Sequence, residues 1–229
     1  MAKKDERRLR IMVSSTVYGI EGMLEDIYAF LNGQYEVWMS HCGTVTIYPT
    51  KTALESCLDA VKDCDLFLSI ITTQYGTGVL PGELSISHQE LLQAIKFKKP
   101  RWVLAHDHVV FARALFQKFG RRNAEDRDKM LNELGYSTDK KRKELTKTSS
   151  QILDDFRVLD MYDDAARHDI SIYKYKDRKG NWVQKFRKPD DALLFATAQF
   201  GRYAEIKRFL DENFADLGAL KSALQAEDK

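Results

Sequence analysis

The chain has 229 residues, 44% of them hydrophobic, 31% charged and 11% aromatic, so it can bury a sizeable core and is neither disordered nor collagen-like. Lys and Arg total 36 against 34 Asp and Glu, a formal charge of +2, which gives no global electrostatic case for nucleic acid or an acidic membrane surface. No apolar run approaches the roughly 20 residues of a membrane span, Met1 to Arg10 lacks the apolar stretch of a signal peptide, and Cys42, Cys57 and Cys64 fit neither a disulfide framework nor paired zinc ligands.

These features predict a cytoplasmic protein with reduced, mostly buried cysteines and no membrane partner. Leu9 to Val13 reads as a buried strand stopping at Ser14-Ser15-Thr16, and Met23, Leu24, Ile27, Tyr28 and Leu31 recur at helical spacing up to Asn32-Gly33. Tyr35 to Met39 is a second strand. Thr52-x-x-Glu55 has the form of a capping box opening a helix to about Lys62. Asp65 to Ile71 is the strongest buried strand, a loop with Tyr75-Gly76-Thr77-Gly78 and Pro81-Gly82 follows, and a helix runs from about Ser87 to Phe97. Lys99-Pro100 ends it, and Arg101 to Ala105 starts a fourth strand.

Beyond Val109 the pattern changes. Phe111, Ala112, Leu115, Phe116 and Phe119 make one helical stripe, and Gly120 to Ser150 is dominated by charge, with Lys140-Lys141-Arg142-Lys143 read as a solvated run without a nucleic-acid role. Ile152, Phe156, Leu159 and Tyr162 mark another helix, residues 170–176 and 182–186 flank Asp177 to Asn181 like a hairpin, and Leu193 to Phe214 is helical with Gly201 as a break. Trp182, Tyr173, Tyr175, Phe186 and Phe200 are material either for ordinary core, the favoured reading, or for a partner-protein interface.

Four strand-helix alternations argue for an α/β fold whose parallel sheet is covered on both faces, with the site in loops at the carboxyl ends of the strands: residues 14–18, 40–49, 72–85 and 106–109. The expected organisation is a charged tail over 1–8, an α/β nucleotide-binding domain over 9–119, a charged insertion or arm over 120–150, and a helical and hairpin extension over 151–229 packing on the α/β domain.

Within the third loop and its helix, Glu90 can serve two roles. A carboxylate near the helix start could attack the anomeric carbon of an N-glycoside or stabilise an oxocarbenium-like transition state; alternatively, Ser87-x-x-Glu90 is itself a capping box. Ser14, Ser15 and Thr16 could add hydroxyl donors to a phosphate site at the first helix, or only cap that helix. Tyr75-Gly76 could bring backbone and a stacking ring to a ligand, or form a simple turn; it has neither the dinucleotide nor the Walker fingerprint. His106-Asp107-His108 lies at a strand end, but without a visible further ligand its histidines read as hydrogen-bonded and no metal is assigned. No serine-hydrolase elbow is present, and Cys57 and Cys64 fall where cysteines usually pack.

Val13-Ser14-Ser15-Thr16, Cys64-Asp65, Gln74-Tyr75-Gly76, Ser85-x-Ser87-x-x-Glu90 and Lys99-Pro100 occur in an order that resembles the Toll/interleukin-1-receptor-like and nucleoside deoxyribosyltransferase-like superfamily. More closely it resembles a bacterial family of unknown function that opens with a Val-Ser-Ser-Thr strand end. The resemblance covers roughly residues 9 to 106. It implies a flavodoxin-like sheet and a pocket that cleaves or binds a nucleotide or NAD, with Glu90 as the catalytic carboxylate and Ser14, Ser15, Thr16, Tyr75, Gly76, Ser85 and Ser87 lining it. One departure is His88, where many members of that family carry an acidic residue. The expectation is an N-glycosidic-bond cleaving effector, homo-oligomeric and gated by assembly, with NAD or a nucleotide as substrate and no separate cofactor, and with anti-phage defence as the family-level role. The alternatives are a nucleotide-sensing or scaffold module, and a deoxyribosyltransferase.

Overall fold

A computed structural model describes residues 7–78, 83–136 and 152–214, without the side chains of Ile172, Tyr173 and Tyr175. The predicted run Lys140 to Lys143 lies outside the described residues, as do the side chains of Tyr173 and Tyr175. Strands β1 (Arg10–Ser15), β2 (Glu36–Trp38), β3 (Leu66–Ile71), β4 (Arg101–His106) and β5 (Val183–Phe186) form one sheet in the order β2-β1-β3-β4-β5, and every pairing is parallel. The fold is thus flavodoxin-like α/β, as expected, and its strand order reverses between β1 and β3, where such sheets open a crevice at their carboxyl ends.

Two cores follow from strand alternation. Ile11, Val13, Leu66, Leu68 and Ile70 face α1 (Glu21–Asn32), α7 (Pro189–Phe200) and α8 (Tyr203–Asn213). Met12, Phe67, Ile71, Val103 and Ala105 face α2 (Ala53–Asp63), α3 (Ile86–Lys96), the start of α4 (Asp107–Lys118) and α6 (Arg157–Ala165), while α5 (Ala124–Glu133) packs against α6. Thr52 and Glu55 make the predicted capping box, with Thr52 Oγ1 accepting from the Glu55 amide at 3.2 Å and Glu55 Oε2 accepting from the Thr52 amide at 2.7 Å. Gly201 ends α7, as its sequence context predicts. None of the described helices is long and apolar enough to cross a membrane.

The second half of the chain corrects several expectations. There is no hairpin among the described residues of 170–186: Ile172–Asp177 is a short 3-10 segment, and Val183–Phe186 joins β4 as a fifth parallel strand. A sheet closing at residue 119 is therefore incomplete, because β5, α7 and α8 supply Phe186, Ala192, Ala196, Phe200, Ile206 and Leu210 to the first core. The charged stretch after Gly120 contains a helix, α5, tied down by the buried Arg127. The α4 stripe does not face inward as a whole: Val109 is buried, whereas Phe111 and Phe119 are exposed. No loop separates β4 from α4, since His106 ends the strand and caps the helix, its Nδ1 accepting from the His108 amide at 3.2 Å.

Candidate functional site

Two of the five ordered motifs, Cys64-Asp65 and Lys99-Pro100, sit at the amino ends of the strands and do structural work there. Asp65 Oδ2 accepts from the Arg10 amide at 2.8 Å, and the buried Lys99 Nζ donates to the carbonyls of Lys62 and Cys64 at 2.7 Å each. This braces β1, β3 and the end of α3 well away from the crevice.

The other three converge at the carboxyl ends of β1 and β3. Glu90, on α3, is 4% exposed and accepts a hydrogen bond from Ser14 Oγ at the end of β1, and the Cys57 thiol of α2 hydrogen-bonds the same carboxyl. Burial pushes the Glu90 carboxyl up to about 7, against these two bonds, which pull it down. Burial likewise pushes Cys57 up to about 12, and the neighbouring carboxyl adds to the rise, so Cys57 is a neutral thiol donor at neutral pH. Ser69, the register partner of Ser14, is wholly buried, and its hydroxyl has no hydrogen-bond partner among the described residues. A buried carboxyl with two donors and an orphan hydroxyl on the neighbouring strand is a polar cluster built into an otherwise apolar layer.

The capping-box alternative for Glu90 is overturned. Ser85, not Ser87, is the N-cap of α3, accepting from the His88 amide at 3.3 Å, so Glu90 stands one turn inside the helix and reaches across to β1. The capping role expected of the Ser14 to Thr16 hydroxyls fails, since α1 starts only at Glu21 and its N-cap Ile20 makes no side-chain cap. Ser15 Oγ turns the other way, donating to the Ile70 carbonyl at 3.1 Å. Thr16 Oγ1 bridges the Thr72 hydroxyl at 2.6 Å and the Gln74 carbonyl at 2.9 Å, fixing the β3–α3 loop over the end of β1. Gly76 is required in that loop: its φ is +79°, and a Cβ there would stand 2.5 Å from Thr16 Cγ2.

Tyr75 is not free to stack on a ligand. Its ring is 2% exposed, with the Arg157 guanidinium 4.5 Å from its centroid, and its hydroxyl lies 2.7 Å from His88 Nδ1 and also hydrogen-bonds Ser85. His88 Nε2 is 2.8 Å from the half-exposed Asp164 Oδ2, which completes a chain running from the buried Tyr75 and His88 out to Asp164. Ser85 and Ser87 are buried with their hydroxyls 3.4 Å apart. The predicted residues Ser14, Thr16, Tyr75, Gly76, Ser85, Ser87 and Glu90 thus lie together, while Ser15 is directed into the sheet. Concavities on the surface are lined by Leu84 and Gln89, or by Trp102 and Trp182, and Glu90 borders neither.

Sequence reasoning missed Cys57, Asp154, Arg157 and Asp164. Cys57 carries no spacing signal, and Asp164 lies 76 positions from the histidine it holds. The departure at His88 was the available clue, since a histidine in place of an acidic residue asks for a partner. Elsewhere, ligand atoms of His106, Asp107 and His108 lie within 4.8 Å of one another, but His106 Nδ1 caps α4 and Arg187 Nε stands 3.7 Å from Asp107 Oδ2, a cation where a metal would need an anion. Of the aromatic residues considered for an interface, Phe186 and Phe200 are core and Trp182 is 74% exposed.

Residues 10–194 match the family described as "Domain of unknown function (DUF4062)". The chain belongs to this family. No curated protein matches it. Among solved structures, the DUF4062 chain is similar to the TIR domains in "Structure of the activated Roq1 resistosome directly recognizing the pathogen effector XopQ", with a TM-score of 0.36 and 14% identity over 54% of this chain and 77% of that one.

Proposed function

We propose that this DUF4062 chain cleaves the N-glycosidic bond of NAD or a nucleotide, with Glu90 as the reacting carboxylate and with activity gated by assembly. The observation that carries this reading is a carboxyl enclosed at the strand-order reversal, raised to about 7 and held by two donors, Ser14 and Cys57. Ionised, Glu90 would attack the ribose carbon as the C–N bond breaks and its electron pair leaves with the base, or would stabilise the cation that forms; water then completes hydrolysis. A base acceptor in place of water would make the same site a deoxyribosyltransferase. Anti-phage defence is the biological setting proposed for such an effector.

The test is base release from NAD and a panel of nucleotides across a protein concentration series, beside Glu90→Gln. Release should vanish in the variant, rise more than proportionally with protein concentration, and gain activity with pH through an acid limb near 7, where the carboxyl ionises. A second reading, a nucleotide-sensing or scaffold module, draws on a specific observation: Glu90 is enclosed and the hydroxyls around it bond one another. Nucleotide binding without turnover, equal in wild type and Glu90→Gln, would favour it.

A further inference from the structure

A concavity of about 350 Å³ lies at the amino ends of β4 and β5, the opposite end of the sheet from Glu90. It is lined by Arg101, Trp102, Trp182, Gln184, Phe195 and Gln199. Strand register brings these residues together. Val103 and Leu104 of β4 pair with Val183 and Gln184 of β5, so one step earlier Trp102 and Trp182 stand side by side, on the face that carries Leu104 and Phe186 into the first core. Phe195 and Gln199, four positions apart on α7, share one face of that helix and complete the lining.

Two of these side chains lack the partners their chemistry asks for. Trp102 is fixed against the core, its ring meeting Phe200 edge-on at 5.0 Å, whereas Trp182 is 74% exposed and makes no ring contact among the described residues. Arg101 is half-buried at the first position of β4. Its Nη2 donates to the Lys179 carbonyl at 3.1 Å and its Nη1 to the Lys99 carbonyl at 3.5 Å, while Nε is buried without a hydrogen-bond partner among the described residues. No described carboxylate pairs with this guanidinium. Burial, with the positive charge of Arg167 adding to it, pushes Arg101 down to about 10. Gly180, at a φ of +69°, lets the turn before β5 lie directly on the guanidinium, since a Cβ there would stand 3.0 Å from Nη2. A cation taken partly out of water and held by neutral carbonyls alone is stabilised by an anion beside it.

We propose that this concavity binds a nucleoside monophosphate, with its base stacked on Trp182, the amides of Gln184 and Gln199 at the base edge, and its phosphate toward Arg101. Each part of that ligand answers one feature of the lining. An exposed indole beside a second, fixed indole offers a stacking surface for a planar ring. Two carboxamides offer both donors and acceptors, which a heteroaromatic edge can use and a hydrocarbon ring cannot. A guanidinium without an acid selects an anionic group. The volume lies at the lower end of the range of small-ligand sites, roughly 300–1,000 Å³. The site shares no residue with the Glu90 cluster and stands independently of the glycosidic reading.

The experiment is isothermal titration calorimetry of the full chain with AMP, GMP, CMP and UMP, beside adenosine and inorganic phosphate, in a Glu90→Gln background so that turnover cannot consume the probe. At least one monophosphate should bind, AMP or GMP most tightly because a purine offers the larger stacking face. Removing the phosphate or the base should weaken binding by about tenfold or more. Trp182→Ala, a change at an exposed position that leaves the core intact, should cost about tenfold, and Trp182→Phe should recover part of it. Arg101→Gln should bring nucleotide and nucleoside to similar affinities. The site is overturned by the absence of binding for all four monophosphates at millimolar concentration, by binding that Trp182→Ala leaves unchanged, or by inorganic phosphate binding as tightly as the nucleotides. Absence of base release from the native chain, alongside binding that Trp182→Ala removes, would refute the glycosidic reading and leave this site standing.

Discussion

Burial raises the Glu90 carboxyl from its ordinary value of 4.5 to about 7, and the direction of that shift sets how stability varies with pH. Between those values the folded chain keeps a proton that the unfolded chain releases, so stability falls as pH rises through this window and is level above it. A shift of this size corresponds to about 3 kcal/mol between the two limits. Glu90→Gln removes the ionisation while keeping the shape, so the variant should lack the fall and exceed wild type by about 2 kcal/mol at alkaline pH, after allowing for a weaker bond from Ser14. Urea unfolding of both proteins on either side of the window measures this, and parallel stability-pH curves would refute it. The substitution proposed to abolish base release should therefore stabilise the fold, the relation expected of a carboxylate retained for chemistry rather than for packing. At this scale the sequence was informative where motif and structure coincide, as at Glu90 and Gly76. It was silent on Cys57 and Asp164, whose partners are defined only once α2 and α6 are brought against α3.

Elements with a strong apolar period were legible, and those held by other forces were not. β3 announces itself because all six of its residues are buried, and α2 because Thr52 and Glu55 form its cap. Strand β5 has four residues next to a Gly180-Asn181 turn signal, which resembles a hairpin arm; its parallel pairing with β4 depends on a connection that includes α4, α5 and α6. Helix α5 shows no stripe because only Arg127 and Leu131 are buried along it. What holds α5 is an ion cluster: Arg127 is 2% exposed and bonds Asp160 and Asp163 of α6, while Arg113 Nε donates to Asp163 at 3.0 Å. Burial raises Asp160 despite Arg127. At Asp163 burial also acts upward, but the bonds from His168 and Arg127 outweigh it and hold this carboxyl below its ordinary value. Removing the guanidinium leaves buried negative charge uncompensated, so Arg127→Ala should cost about 3–5 kcal/mol in urea unfolding, far more than its position in a polar stretch suggests. A loss below about 1 kcal/mol would mean that Arg113 and solvent already neutralise the pair.

At the scale of the whole molecule, sequence alternation correctly identifies a doubly covered parallel sheet but places its end too early. Four strands and four helices are complete by residue 119, and the charged stretch that follows looks like a departure from the fold. The structure instead returns to the sheet sixty-four residues later with β5, and lays α7 and α8 beside α1. Tyr35, buried beside α1, shows the dependence: its hydroxyl donates to the Phe200 carbonyl at 2.8 Å, and its ring packs on Phe200 and Tyr203. A fragment spanning 7–119 would expose Leu104 and Tyr35 and lose Phe186, Phe200, Ile206 and Leu210 from one core and Val158, Leu159 and Met161 from the other. Each such buried side chain contributes about 1.5–3 kcal/mol, so the combined loss matches or exceeds the roughly 5–15 kcal/mol by which whole domains are stable. The fragment should therefore show no cooperative unfolding transition, whereas 7–214 should unfold in a single step. Circular dichroism against urea distinguishes the two, and a cooperative 7–119 fragment would show that the sheet closes at β4 and that the segments beyond it are an appendage.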